Sequence, residues 1–393
     1  MLKLAGVTID GSTVTFIMTD GRVARMTVKT PPFPPDGPIG KATLYPSLNA
    51  LALETIRGEL IGVELPAEGC FAPMRNRPVV YLDQKDWSSL AKLRYAPARV
   101  RPAEERAAAE QIADMANRHR IILPMSAGHM SETCQWPADQ ERYQLGLTIV
   151  QLSGGWQMRD PLDIRARELQ QKLRTRFQRQ PLPLLEVFTL EPNAIHVGRG
   201  AQRIPDRSSS IEEQIEFATE ALASVTASIA TMLDAESVES NPVPGWVQQA
   251  QEFTRWLADR QYSREQKRKL IDGFFISDAR LEIASEARAA GITTDELGNW
   301  LQKSSRDDIK SMPCLGLFRE VLRQKHLNPG TSWEANDLID MMYLTCASGY
   351  ADYVVGERSL VSQIKPALRR LGRPINVYSS LRDLISALGG SEG

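Results

Sequence analysis

Four short apolar runs, each leading into a helical stretch, constrain what this chain can fold into more than any other feature. PVVYL (78–82) precedes WSSLAKL, and RIILPM (120–125) precedes Ser126, whose hydroxyl suits a helix cap. ADYVV (351–355) precedes LVSQIKPALRRL, where Pro366 predicts a break, and INVY (375–378) precedes SSLRDLISAL. Short, almost wholly apolar runs are the mark of strands buried on both faces. Strands that alternate with helices predict a parallel sheet. Two further helices are predicted. One spans 102–118, with Pro102 at its first position. The other runs from a Thr331/Glu334 capping box to about Ala347.

The N-terminal stretch has a different rhythm. LAGVTI, TVTFIM and RVARMTV read as strands, and Asp10-Gly11 and Asp20-Gly21 between them are hairpin turns. PPFPPDGP (31–38) cannot continue a ladder, because proline has no N–H to donate. Leu44, Leu48 and Leu51 then follow at helical spacing, and ELIGVEL is a further strand. A small β-rich domain over residues 1–74 is expected. Residues 75–393 then form the α/β domain, interrupted at about 185–325 by a segment that reads almost wholly as helix. In it, Ser210/Glu213 form a capping-box pair, and Ile211, Ile215, Leu222, Val225, Ile229 and Met232 form one stripe. Phe253, Trp256 and Leu257 mark a second helix, and Leu317, Phe318, Val321 and Leu322 a third. SREQKRKL within the segment is basic and expected to be exposed.

The 393 residues carry a net charge of only -1, which excludes a whole-protein basic footprint. Contact with nucleic acid must rest on local patches. No apolar run is long enough to span a bilayer, and the N-terminus meets an acid and a turn too early for a secretory signal. Cys70, Cys134, Cys314 and Cys346 are far apart and form no Cys-x-x-Cys pair, so reduced, buried thiols in a cytoplasmic protein are expected.

In a parallel α/β sheet, sites form beyond the carboxyl ends of the strands. Asp83 follows PVVYL. Glu132 lies on the helix after RIILPM. Asp337 and Asp340 lie on the helix before ADYVV, three residues apart and so on one face. Glu357 follows that strand and Asp352 opens it. Gathered carboxylates repel one another, each favouring its protonated form. A hard divalent cation removes that cost, and Mg²⁺ or Mn²⁺ would take such oxygen ligands. Held there, the cation can polarise a phosphodiester and activate water.

Three segments carry a family resemblance. VVYLDQKDWSSLA resembles the opening strand and acid of PIN-domain nucleases, LPMSAGHMSET the segment with their second acid, and NDLIDMMYLTCASGYADYVVGERSL their third signature. Their order also matches, over about 80–155 and 330–390. The resemblance implies a PIN-like α/β fold, a parallel sheet sandwiched by helices, here with a large helical insertion and the β-rich N-terminal domain. It implies a metal-dependent endoribonuclease with Mg²⁺ or Mn²⁺ held by Asp83, Glu132, and Asp340 or Asp337. The fourth acid is Glu357, where many members have aspartate, or Asp352. RNA is the implied substrate and self-association stays open. A toxin or phage-defence role is the implied setting. The alternatives are a non-catalytic RNA-binding scaffold with a degenerate site, and a DNA-acting nuclease.

Other residues have two readings. Asp83 alone suits a helix cap, and Asp337 a first-turn acid favoured by the helix dipole. His129 lines the pocket and contacts phosphate, or pairs with Glu132 on a transition metal. Trp87 and Trp136 stack on bases or simply pack. KLRTRFQRQ (172–180) offers Lys172, Arg174 and Arg176 to phosphate, or forms a solvated face. LSGGWQMRDP (152–161) and GRG (198–200) lack Walker spacing and read as structural turns.

Overall fold

The computed structural model describes residues 4–30, 33–34, 36–65, 76–191, 194–197, 225–233, 245–328, 330 and 332–389. The chain is α/β. It divides into two compact units, one comprising 1–80, 84–159 and 188–239, the other 81–83, 160–187 and 240–393. The 185–325 segment is therefore shared between them. Ser210, Ile211, Glu213, Ile215, Leu222 and GRG lie outside the described residues.

In the first unit, β1 (Leu4–Asp10), β2 (Thr13–Met18), β3 (Val23–Thr27), β4 (Ile39–Tyr45), β5 (Ala50–Thr55) and β6 (Leu60–Glu64) form one antiparallel sheet. Its order is β3-β2-β1-β4-β5-β6. The hairpin at Asp10-Gly11 closes with Asp10 opposite Thr13, and Gly11 takes the left-handed backbone (φ +52°) that its turn demands. The expected helical spacing of Leu44, Leu48 and Leu51 is corrected. Leu44 faces Leu51 across β4 and β5, and a 3-10 turn over Pro46–Leu48 ends at Asn49 with φ 48°. Proline opens that turn and the left-handed asparagine reverses it, so a hairpin imitates the i, i+4, i+7 spacing.

Helices Gln84–Tyr95, Ala103–Asn117, Ala127–Cys134 and Asp139–Ser153 complete this unit. Pro102 precedes the second helix as its cap, one place earlier than expected. RIILPM forms no continuous strand: Ile122 bridges Val79 and Met125 bridges Gln157, both in parallel, with Pro124 between. Gly154 and Gly155 turn the chain after the fourth helix, and a Cβ on Gly155 would come 2.6 Å from Val63 Cγ1. That close approach explains the glycine pair of LSGGWQMRDP without a ligand.

The second unit is built around the Pro313–Leu327 helix, which is buried on every side. Helices Pro161–Arg176, Gly245–Ala258, Arg264–Asp278, Asp337–Tyr350 and Arg358–Leu371 pack against it. Gly316 and Gly349 permit the closest approaches. A Cβ on Gly316 would sit 2.5 Å from the Ile309 carbonyl oxygen, and one on Gly349 2.9 Å from the Pro313 carbonyl carbon. The Arg358–Leu371 helix runs through Pro366 without the expected break. Its buried stripe of Leu360, Val361, Ile364, Ala367 and Leu368 outweighs the lost hydrogen bond, and Gln324 Nε2 donates to the Gln363 carbonyl in the loosened turn. The Asp337–Tyr350 helix starts later than expected. Glu334 lies before it, and Thr331 lies outside the described residues.

Strands β7 (Val80–Leu82), β10 (Tyr353–Val355) and β11 (Val377–Tyr378) form a second sheet in the order β11-β10-β7, with β10 and β11 parallel. A third sheet pairs β8 (Gln157–Met158), where a turn was expected, with β9 (Phe188–Thr189), where helix was expected. Cys314 and Cys346 are buried free thiols as expected, Cys134 is half-buried, and Cys70 is outside the described residues. Among the described residues no helix is long and apolar enough to cross a membrane.

Candidate carboxylate site

Val80, Tyr81 and Leu82 are buried, so β7 is fixed by its surroundings up to the residue before Asp83. The Asp83 N–H donates to the Val355 carbonyl at 3.0 Å, so β7 and β10 end side by side. Gly356 follows β10, its N–H donating to the Tyr378 carbonyl, and Glu357 comes next as an exposed residue ahead of the Arg358–Leu371 helix. Asp83 and Glu357 are thus delivered to the same sheet edge from sequence positions far apart.

Asp340 comes to that edge from the first turn of the Asp337–Tyr350 helix. Its carboxyl is pushed up to about 7, first by burial and then by the charges of Asp83, Glu357 and Asp337, against the opposing pull of Lys325. A carboxyl so placed records a crowd of negative charge around it. Three separate stretches of sequence supply that crowd.

Asp337 plays a different part. Its Oδ1 is ion-paired with Lys325 Nζ, and its Oδ2 accepts from the Glu334 N–H at 2.5 Å. Lys325 in turn lies over the Trp333 ring at 4.7 Å. Both Asp337 oxygens are therefore committed, and of the two acids offered by this helix Asp340 is the one left facing the cluster. Asp352 is exposed and opens β10. It stands five residues before Glu357, at the amino end of that strand, roughly 16 Å away if the chain is extended. Tyr343, one turn beyond Asp340, donates its hydroxyl to Asp160 Oδ2 at 3.3 Å. Asp160 also caps the Pro161–Arg176 helix through the Leu162 N–H.

Lys325 and Asp160 were missed in the sequence. The Asp-Pro pair at 160–161 was a readable cap signal. Lys325 gave none, because it falls off the polar face made by Arg319, Glu320, Arg323 and Gln324 and onto the apolar side of its helix.

His129 and Glu132 belong to the first unit, on the Ala127–Cys134 helix. His129 is buried and closes a capping box: its Nδ1 accepts from the Ser126 N–H at 3.1 Å, and Ser126 Oγ accepts from the His129 N–H at 3.4 Å. Its ring meets Trp87 edge-on at 5.9 Å. Histidine here takes the place usually held by Glu or Gln in such a box, and Trp87 is a core residue. Glu132 lies one turn further on and is partly buried.

The basic segment is mostly engaged within the second unit. Arg176 is ion-paired with Asp308 and Arg179 with Glu296. Arg174 donates to the carbonyls of Gln180 and Ala289. These guanidiniums join helices. Lys172 lines a cleft of about 420 Å³ walled by Leu182, Leu184, Met312 and Pro313.

Asp83, Asp340 and Glu357 offer only oxygen donors and carry a charge conflict that a hard divalent cation would relieve, so the donor chemistry fits Mg²⁺ or Mn²⁺. Among the described residues no group of three His, Cys, Asp or Glu side chains is close enough to hold a metal ion. The geometry is therefore a cluster of interacting carboxylates, not a formed cage. Comparison of the chain with protein-family models, with curated proteins and with solved structures gave no match, so no family is identified for it.

Proposed function

We propose that the chain is a metal-dependent nuclease that hydrolyses RNA phosphodiester bonds at the Asp83, Asp340 and Glu357 cluster. One observation carries this reading: the Asp340 carboxyl is driven to about 7 by burial and by acids brought from two other stretches of the chain. An unfavourable charge arrangement at a sheet edge is a common sign of a functional site. The PIN resemblance of the three segments supports the same conclusion, as do the short parallel pairings at β10 and β11.

The chain's own groups would divide the work. Asp83, Asp340 and Glu357 would hold Mg²⁺ or Mn²⁺. Lys325 is ion-paired with Asp337 beside them. Asp340, its carboxyl pushed up to about 7, would have to be deprotonated to serve as a ligand, and has the basicity suited to accepting a proton from water. A bound divalent cation supplies polarisation of the phosphodiester.

The test is incubation of the full chain with single-stranded RNA and DNA in Mn²⁺, Mg²⁺ or EDTA. Cleavage of RNA in Mn²⁺, lost in EDTA and in Asp83→Asn, is expected. Cutting by Asp83→Asn at the parent rate would sink the site assignment, and preference for DNA would move the reading to a DNA-acting nuclease. The second reading is a non-catalytic RNA-binding scaffold with a degenerate site. It is favoured by the absence, among the described residues, of three acids at metal-holding distance. It predicts RNA binding with no cleavage under any metal.

A further inference from the structure

The Gly245–Ala258 and Arg264–Asp278 helices carry a surface that the carboxylate site does not use. Three aromatic rings lie nearly parallel there. Phe274 stacks on Phe253 at 4.5 Å and 16°, and Phe253 on Trp256 at 5.7 Å and 20°. The stack ends at Trp256, which is 38% exposed. Tyr262, 37% exposed, lies 6.0 Å from the Trp256 ring, and the Arg260 guanidinium 5.8 Å from it.

The sequence that carries this stack is rich in cations. The stretch 245–278 that carries it holds six cations, Arg255, Arg260, Arg264, Lys267, Arg268 and Lys269, against five acids, of which Asp272 is ion-paired with Arg323 and Asp278 accepts from Trp246 Nε1. Among the described residues only Lys269 of these six is ion-paired, with Glu265 one turn earlier.

The inner end of the stack is firmly held. Phe253 and Phe274 each meet the His326 ring edge-on at 5.1 Å. Thr254 Oγ1 donates to the Ala250 carbonyl at 2.8 Å and accepts from Trp333 Nε1 at 2.9 Å, so at its 2.7 Å contact with His326 Nδ1 the histidine donates. Burial, aided by the Lys325 charge, holds that ring neutral, its pKa pushed down to about 3. His326 supports the rings and its neighbour Lys325 holds Asp337. The stack and the carboxylate cluster are thus braced by consecutive residues of one helix.

We propose that this surface is the docking platform for single-stranded RNA, with a base continuing the ring stack at Trp256 and phosphates lying over the surrounding cations. The proposal deepens the nuclease reading and rests on it for the choice of RNA. Every base offers a π-face, so stacking tolerates any sequence, and clustered Lys and Arg side chains replace the counterions of the backbone. Duplex bases are already stacked on one another and cannot join the platform. Cations left without an ion-pair partner among the described residues set RNA apart from an apolar protein partner, which would need the rings but not the charge.

The experiment is fluorescence anisotropy of a labelled single-stranded 12-mer RNA on the full chain in EDTA, so that binding is read without cleavage. Trp256→Ala is expected to weaken binding by about tenfold or more, and Trp256→Phe to restore most of it. Arg264→Glu with Lys269→Glu is expected to weaken binding and flatten its salt dependence. Circular dichroism of each variant checks that the helices persist. Unchanged binding in a folded Trp256→Ala, equal loss for duplex RNA, or a change only in oligomeric state would overturn the platform. Cleavage by the parent chain in Mn²⁺ separates the two proposals: Trp256-dependent binding without such cleavage would sink the nuclease reading and leave the platform standing. Cleavage with Trp256-independent binding would do the reverse.

Discussion

At the scale of single residues, the account turns on Asp340. A carboxyl whose folded pKa is raised keeps a proton that the unfolded chain has lost. Its ordinary value is 3.8 and its folded value about 7, so stability falls as pH rises through that window and is lowest above it. Asp340→Asn removes that slope. In thermal melts without metal, the variant is expected to gain on the parent as pH rises from 4.5 to 8. The gain at pH 8 should be on the order of 1–2 kcal/mol, since partial exposure screens the charges. A parallel pair of curves would contradict the burden assigned to Asp340. Lys325 pulls the other way. Lys325→Met leaves Asp337 without its cation and should cost roughly 1–3 kcal/mol in denaturant melts. It should also move the acid limb of any pH–rate profile upward, because Asp340 then holds its proton still more tightly.

At the scale of elements, the close contacts of the second unit give a sharp contrast between two glycines. Gly316→Ala forces a Cβ against the Ile309 and Lys310 carbonyls and is expected to cost about 1–3 kcal/mol or more. Gly298 lies inside the Thr294–Lys303 helix with open space around it, so Gly298→Ala should stabilise by up to about 1 kcal/mol. Urea melts of the two variants check both signs. The same elements show what the sequence could reveal. PVVYL, ADYVV and INVY read correctly because buried strands need unbroken apolar runs. That Asp83 and Glu357 reach one sheet edge followed from their places just after two such strands. Leu44, Leu48 and Leu51 misled because a tight hairpin reproduces helical spacing, and Pro366 because local cost was weighed without the buried stripe that offsets it. The sequence favoured Asp340 over Asp337 only because Asp337 suits a first-turn acid; the ion pair that commits Asp337 was hidden. That pair depends on Lys325, twelve residues before Asp337 and on the apolar side of its helix, off the face of Arg319, Glu320, Arg323 and Gln324. The engagement of Arg174 with Ala289 and of Arg176 with Asp308 was equally hidden, since those partners lie more than a hundred residues away.

At the scale of the whole molecule, a chain of balanced charge is read as concentrating its chemistry in local patches within one compact unit. Acids from 83, 340 and 357 make one patch, and rings and cations over 251–270 make the other. The central claim is that the acids hold a divalent cation. The most direct measurement is isothermal titration of Mn²⁺ into the full chain at pH 7, in buffers of different ionisation enthalpy, for the parent and for Asp340→Asn. The account predicts saturable binding by the parent with release of a fraction of a proton, because Asp340 is half-protonated near that pH. Binding by the variant should be at least tenfold weaker and free of that release. Saturable binding that is equal in both, or no binding by the parent, would contradict it.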